Sequence, residues 1–279
     1  MPRVEPPILA SRNNPKIKAV RELRQRKARQ ESGLFLAEGI RHVGEALAAI
    51  EASAGALWAT APLQVEAIFY APEVLSSPFA RELIARGTAR SIPCHATSEE
   101  VFGSMADREN PQGILAVARA PRTELSRLDG SNFAWGVALV KPQDPGNVGA
   151  ILRTIDAVGA SGLLLLGGGV DPYHPTAVRS SMGAIFWLPV VQVSFAEFAI
   201  WARQGGYRVY GTSAHAQTHY KEIEDYERPA VLLMGSERQG LNPEQVDVCQ
   251  AVVRLPMHGR VTSLNLAVAT GVMLYAMLE

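Results

Sequence analysis

The second half of the chain repeats one pattern. WGVALV, GLLLLG, FWLPVVQV, YRVYGT, AVLLMG and AVVRLP are short, largely apolar runs separated by helical or turn-forming segments. A sheet with one wet face alternates apolar and polar residues, whereas a strand covered on both faces does not. The pattern therefore predicts an α/β architecture in which a parallel sheet carries helices on both sides. At 279 residues the chain is long for one domain, and its first half supplies a second, smaller α/β domain. There GLFLAEG, ALWAT, AIFYAP and GILAVAR read as strands. A helix from Ile40 to about Ile50 falls between them, as does a short one around Val101 to Met105, opened by a Thr97 and Glu100 capping box. The polar, aperiodic stretch APRTELSRLDGSN, with Pro121 and Gly130, is the expected linker. The expected boundaries are residues 1–120, a linker 121–132 and 133–279.

Composition narrows the class and leaves the chemistry open. With 47% hydrophobic and 19% charged residues, the chain has the balance of a folded soluble protein. MPRVEPPILASRNN lacks the apolar core of a signal peptide, and no run of about 18 apolar residues is available to span a membrane, so a cytoplasmic protein is expected. Cys94 and Cys249 are distant and in no CxxC pattern, which predicts two buried reduced thiols. His215 and His219 are four apart without HExxH or a completing carboxylate, so no metal site is expected. The last element, Leu264 to Leu278, is apolar nearly all round. It must be covered, by the core of its own domain or by a partner subunit.

Net charge is zero but unevenly placed: eight Lys or Arg face one acid, Glu22, between Arg12 and Arg29. Ile17, Val20 and Leu23 at helical spacing make Asn14 to Gln30 read as one amphipathic basic helix. Its charges form either a solvated face or an electrostatic footprint for nucleic acid.

Three stretches are polar where a buried domain is expected to be apolar: Asp144 to Thr154, Leu232 to Leu241 and Leu255 to Asn265. Each joins a strand to a turn, which places its polar residues where α/β sheets bind ligands. In the first, Asn147 stands where a helix N-cap belongs, and Arg153 points away from the stripe of Ile151, Ile155 and Val158, suited to a phosphate near free helical N–H groups. A plain cap with a solvated Arg explains the same residues. In the second, Gly235, Ser236 and Glu237 end a strand and Gly240 closes a turn. Gly235 and Gly240 have phosphate-loop spacing, but Leu241 and Asn242 stand where Lys and Ser or Thr are required, which argues against ATP. LLLLGGGVDP fails as a dinucleotide fingerprint because Pro172 replaces its third glycine. In the third, Ser263 is the expected cap of the last helix, and the apolar residues with backbone groups around it suit a flat ligand such as adenine.

Taken jointly, N-x-G-x(3)-R at Asn147 to Arg153, G-x-E-x-x-G-L at Gly235 to Leu241 and P-M-x-G-x-V-x-S-L-N at Pro256 to Asn265 resemble the SpoU (TrmH-like) RNA ribose 2′-O-methyltransferases of the SPOUT superfamily. VRSSMGAIFWLPV, from Val178, is similar to a fourth family patch. NPKIKAVREL, FLAEGIRHVGEAL and NPQGILAV resemble the ribosomal-protein-like substrate-binding domain that many members carry. The resemblance implies a trefoil knot, S-adenosylmethionine as cofactor, RNA as substrate and a homodimer. It implies Asn147, Arg153, Glu237, Ser263 and Asn265 as the catalytic cluster. Met234, Gly235, Leu255, Pro256, Met257, Ser263 and Leu264 are the implied cofactor contacts. The basic segment becomes an RNA contact through Arg12, Lys16, Lys18 and Arg21, joined by Arg153. Ribosomal RNA of the 23S type is the expected substrate, against tRNA or a catalytically silent RNA-binding role. Two departures stand out: Thr176 where relatives often have Lys, and Val158 in place of a usual Phe.

Overall fold

The computed structural model describes residues 7–52 and 58–278. In chain order the first half forms α1 (Pro15–Glu22), α2 (Arg26–Ser32), β1 (Leu34–Glu38), α3 (Ile40–Ala52), β2 (Ala59–Ala61) and β3 (Gln64–Tyr70). It continues with α4 (Pro78–Ala89), β4 (Cys94–Ala96), α5 (Glu99–Met105), β5 (Ile114–Arg119) and β6 (Arg122–Thr123). The second half forms β7 (Trp135–Val140), α6 (Pro145–Ala157), β8 (Leu163–Leu166), α7 (Pro175–Ser180), β9 (Val190–Val193) and α8 (Phe195–Gln204). It ends with β10 (Arg208–Thr212), β11 (Thr218–His219), β12 (Ala230–Met234), α9 (Pro243–Asp247), β13 (Ala251–Arg254) and α10 (Leu266–Ala276). Two units result: Met1–Ala56, Ala61–Arg122 and Tyr173–Phe186 make the first, and Leu57–Thr60, Thr123–Pro172 and Trp187–Glu279 the second.

The first unit is built on a mixed four-stranded sheet of order β1-β5-β3-β4, with β5 antiparallel to both neighbours and β4 parallel to β3. Ile17 and Val20 of α1, Leu23 at its C-terminal cap, and Phe102 and Met105 of α5 pack on its Leu36, Phe69 and Leu115. The basic segment is two helices rather than the one expected. The break has a local cause: the buried Arg29 guanidinium donates to the carbonyls of Leu23 (2.8 Å) and Arg24 (2.9 Å). A continuous helix would pair those carbonyls with N–H groups four residues on. The cap of α5 is Ser98, which accepts from Val101 N, in place of Thr97. Thr97 is buried and gives both its N–H and its hydroxyl to Tyr70 O, which turns its side chain toward the sheet and leaves the cap to Ser98.

The segment Tyr173–Phe186, which holds most of the fourth family patch, belongs to this first unit. Phe35 lies between Tyr173 and Phe186, with ring centroids 4.7 and 6.0 Å away. Arg41 Nε donates to Met182 O at 3.0 Å, and Arg179 Nη1 donates to Asp107 Oδ2 at 2.9 Å.

In the second unit the apolar runs are strands of a seven-stranded sheet, order β11-β13-β10-β12-β7-β8-β9, with every pairing parallel. β7, β8 and β12 are buried at every residue, as continuous apolar strands require. Each fully buried Leu of the run Leu163–Leu166 contributes about 2 kcal/mol. One core, including Ala138, Val140, Leu164 and Leu233, lies against Phe198, Ala202 and Phe133. Val148, Ile151, Leu152 and Ile155 of α6 and Met273 and Leu274 of α10 are also buried, and these two helices pack together. Of the expected linker, 121–132, residues Arg122–Thr123 pair as a short strand, Leu125–Arg127 form a 3-10 turn and Leu128 enters the core just described.

The core of its own domain covers the last helix only in part: Val268 is 52% exposed and Tyr275 56%, so of the two expected covers its own core supplies one face and the other stays open on the chain by itself. One expectation needs correction. The cysteines are free but half-buried. Burial pushes the Cys249 thiol up to about 11 and raises that of Cys94, so neither is an activated nucleophile.

Candidate active site

Because all pairings in the second sheet are parallel, the carboxyl ends of β7, β10, β12 and β13 share one edge. All three polar stretches leave the sheet there. After β7, Lys141 takes a left-handed φ of 44°, strained for a residue with a side chain. Asp144 then caps α6 by accepting from Gly146 N at 2.8 Å, with Pro145 at the first helical position. Asn147 is therefore the third residue of α6 and not its cap, which releases its amide from backbone duty.

After β12, Ser236 and Gly240 exchange backbone hydrogen bonds of 3.0 and 2.9 Å across a tight loop, with Gly240 at φ +67°. Gly235 has no room for a side chain: a Cβ would sit 2.3 Å from the Gly240 carbonyl carbon and 2.6 Å from Leu241 N. This closure fixes Glu237 at an exposed loop tip. After β13, Leu255, Pro256 and Met257 are half-buried, and Ser263 is exposed. Asn265, two residues beyond Ser263, is the cap of α10, its Oδ1 accepting from Ala267 N (2.9 Å) and Val268 N (3.3 Å). Ser263 lies too far upstream to reach those N–H groups.

Three expected site residues are joined by side-chain hydrogen bonds. Asn265 Nδ2 donates to Asn147 Oδ1 at 3.0 Å, and Asn147 Nδ2 donates to Glu237 Oε1 at 2.9 Å. The chain has one direction, from the start of α10 through two amides to a carboxylate, and each bond polarises the next. The amide orientations follow, because only a donating Nδ2 satisfies Glu237. Arg153 projects from α6 into solvent and makes no ion pair among the described residues. It lies about 9 Å along the helix axis from Asn147. Ser263 and Arg153 stand outside the bonded cluster.

Sequence reading passed over the end of β10. Sheet order puts β10 between β12 and β13, so Thr212 and Ser213 stand between the loops of Gly235 and Leu255. Thr212 Oγ1 contacts Met234 Sδ at 3.4 Å. The small and hydroxyl residues Gly211, Thr212 and Ser213, where the apolar run YRVYGT ends, are the signal that was available. No group of three or more metal-ligating side chains occurs among the described residues. His219 Nδ1 accepts from Lys221 N at 3.1 Å and the ring stacks on Tyr220, which gives that histidine a structural role.

The edge suits a nucleoside-like ligand. Val261 is 64% exposed and Leu264 39%, beside half-buried Leu255, Pro256 and Met257. Among the described residues, 256–264 make no backbone–backbone hydrogen bonds. Apolar side chains and free peptide groups together can hold a flat heterocycle and read its edge.

In the first unit, Arg12 pairs with Glu100 at 3.2 Å and Lys16 Nζ lies 3.2 Å from His95 Nε2. Lys18 and Arg21 are exposed.

A parallel α/β domain whose carboxyl edge gathers three separate loops around a polar cluster defines a ligand-binding catalytic domain of the α/β class. Residues 135–275 match the SpoU rRNA methylase family, and the chain belongs to that family. Residues 14–116 match the MRM3-like substrate binding domain. The 23S rRNA (guanosine(2553)-2′-O)-methyltransferase RlmP of Bacillus subtilis is 30% identical over 96% of this chain and 97% of its own. The 23S rRNA (uridine(2479)-2′-O)-methyltransferase of Streptomyces viridochromogenes is 32% identical over 91% of this chain and 85% of its own. The crystal structure of AdoMet-bound rRNA methyltransferase from Sinorhizobium meliloti superposes with a TM-score of 0.84 at 32% identity, covering 97% of both chains.

Proposed function

We propose that this protein transfers a methyl group from S-adenosylmethionine to a ribose 2′-hydroxyl of ribosomal RNA, of the 23S type. The observation that carries this reading is the hydrogen-bonded chain Asn265–Asn147–Glu237, which draws the three family motifs to one point at the carboxyl edge. The relatives named for 23S rRNA 2′-O-methylation match over nearly the full chain, which supports the same substrate class here.

S-adenosylmethionine supplies an electrophilic methyl group when bound. Met234, Gly235, Leu255, Pro256, Met257, Ser263 and Leu264 are the residues that would hold it, joined by Thr212 and Ser213 of the neighbouring strand end. Absence of a side chain at Gly235 lets the loop 235–241 close, so the backbone itself forms one wall. Glu237, fixed by Asn147, shapes the polar side of the site. Arg153, exposed on the same helix as Asn147, clamps a phosphate next to the attacked ribose and stabilises negative charge developing on the 2′-oxygen. A guanidinium holds its proton near neutral pH, so this electrostatic role suits it better than that of a base. Alignment of two substrates supplies much of the rate.

The same reading includes a trefoil knot in the segment that returns Asn265 to Asn147, with residues 133–279 as catalytic domain and 1–120 as RNA-binding domain. It includes a homodimer through the open face of α10, where Val268, Val272 and Tyr275 are exposed beside a groove formed by residues 220–228. The same reading makes it a cytoplasmic enzyme. No helix among the described residues is long and apolar enough to cross a membrane.

The test is methyl transfer from radiolabelled S-adenosylmethionine to purified 23S rRNA, 16S rRNA and tRNA, followed by mapping of alkali-resistant positions. One modified ribose in 23S rRNA is expected. Labelling of tRNA alone would replace the substrate, and absence of cofactor binding would leave an RNA-binding protein without this activity.

A further inference from the structure

The basic segment of the first unit does not act as one surface. Arg29 is buried and spends its guanidinium on the carbonyls of Leu23 and Arg24, fixing the turn between α1 and α2. Arg12 is engaged with Glu100, Lys16 with His95, and Lys27 with Glu31 at 3.9 Å. Three other cations converge instead. Lys18, Arg21 and Arg24, with Gln25, line a cleft of about 460 Å³ that Ser104 of α5 completes. Among the described residues Glu22 is the single acid on its lining. Lys18 and Arg21 are exposed and form no ion pair among the described residues. Arg24 reaches Asp107 only at 3.5 Å, while Asp107 has a closer cation in Arg179 at 2.9 Å. Arg24 can therefore turn to a second anion at little cost.

We propose that Lys18, Arg21 and Arg24 form a phosphodiester-binding cleft that grips the backbone of the RNA substrate, a site that rests on the RNA-methylating reading above. The chemistry is that of a polyanion. Side chains carrying fixed positive charge around a concave surface attract phosphates, and guanidinium forks pair with their oxygens. Gln25 and Ser104 add neutral hydrogen-bonding groups beside the charges. Such contacts set the position of the RNA and do not read its sequence. The buried Arg29 serves as a positioning residue, because the turn it fixes carries Arg24 and Gln25.

The experiment measures binding of a full-length 23S rRNA transcript as a function of salt. It compares the unsubstituted protein, the double variant Lys18→Ala/Arg21→Ala, and Lys27→Ala, which removes an exposed cation of the same segment outside the cleft. The double variant is expected to bind about tenfold more weakly near physiological salt, with the slope of log affinity against log salt shallower by about 2. Its KM for RNA rises while kcat and calorimetric affinity for S-adenosylmethionine stay unchanged. Lys27→Ala is expected to stay near the unsubstituted protein. An unchanged slope in the double variant overturns the cleft, and so does an equal loss in Lys27→Ala, which would show a diffuse field. Failure of the parent reading is visible separately, because the unsubstituted protein would then fail to methylate the transcript whatever the salt dependence of its binding.

Discussion

Asn265 Nδ2 lies 3.0 Å from Asn147 Oδ1, although 118 residues separate them. The same asparagine caps α10 through Oδ1, so one side chain ties the start of α10 to the first turn of α6. Asn147 passes the interaction on to Glu237, 90 residues away in sequence.

The two functions of Asn265 separate by substitution. Asn265→Asp keeps the capping oxygen and loses the donor to Asn147, so melting temperature is expected to hold while single-turnover methylation collapses. Asn265→Ala loses both, with an added stability loss of about 1 kcal/mol. Equal activity in Asn265→Asp and the native protein would contradict the relay.

Arg153 is exposed and touches no part of the proposed cofactor contacts, so Arg153→Ala is expected to leave calorimetric affinity for S-adenosylmethionine nearly intact. Methyl transfer is expected to fall by about 10² or more, the scale of losing a charge-stabilising donor. Near-normal turnover in that variant would remove Arg153 from the mechanism.

Gly235→Ala places a methyl group 2.3 Å from the Gly240 carbonyl carbon, a backbone atom with no rotamer to yield. The loop must shift, at a cost of about 1–3 kcal/mol. Cofactor affinity is expected to drop with stability, whereas Gly259→Ala, which meets nothing within 4 Å, is expected to be neutral in stability. Full cofactor binding by Gly235→Ala would show that the tight closure is not needed.

Acid should weaken the first unit. Burial lowers the pKa of His42 below its usual 6.5, with nearby Arg108 and Arg41 adding to the shift against hydrogen bonds to backbone. The folded state then binds fewer protons than the unfolded one, so this contribution is present above about pH 6.5 and is lost as pH falls toward the lowered value. Asp107 acts in the same direction lower down: burial opposes its charge, but Arg179 and Arg24 outweigh it and hold the carboxyl below its usual range. Melting temperature is expected to fall between pH 7 and 5.5, and to fall less in His42→Gln. Parallel pH profiles for the two proteins would remove His42 as the cause.

Legibility differed by element. The strands of the second unit were readable because burial on both faces leaves long apolar runs. The α6 cap was misplaced because Asp144 and Asn147 are both good capping residues, and the chain geometry at Pro145 decides between them. A single helix was expected over Asn14 to Gln30 because periodicity does not register a buried guanidinium taking two carbonyls. Ser263 and Asn265 were both singled out, but the hydrogen-bonded role fell to Asn265 alone.

Sequence by itself determined the parallel α/β class, the family and the residue types brought to the site. These follow from side-chain burial and from motifs contained within about ten residues each. Tertiary structure decided which atoms meet. Strand order set Thr212 and Ser213 between Gly235 and Leu255, and the packing of α6 against α10 brought Asn147 within reach of Asn265. Local propensity acts between near neighbours. Contacts across 90 and 118 residues form only when burial of the sheet faces has fixed where each helix begins.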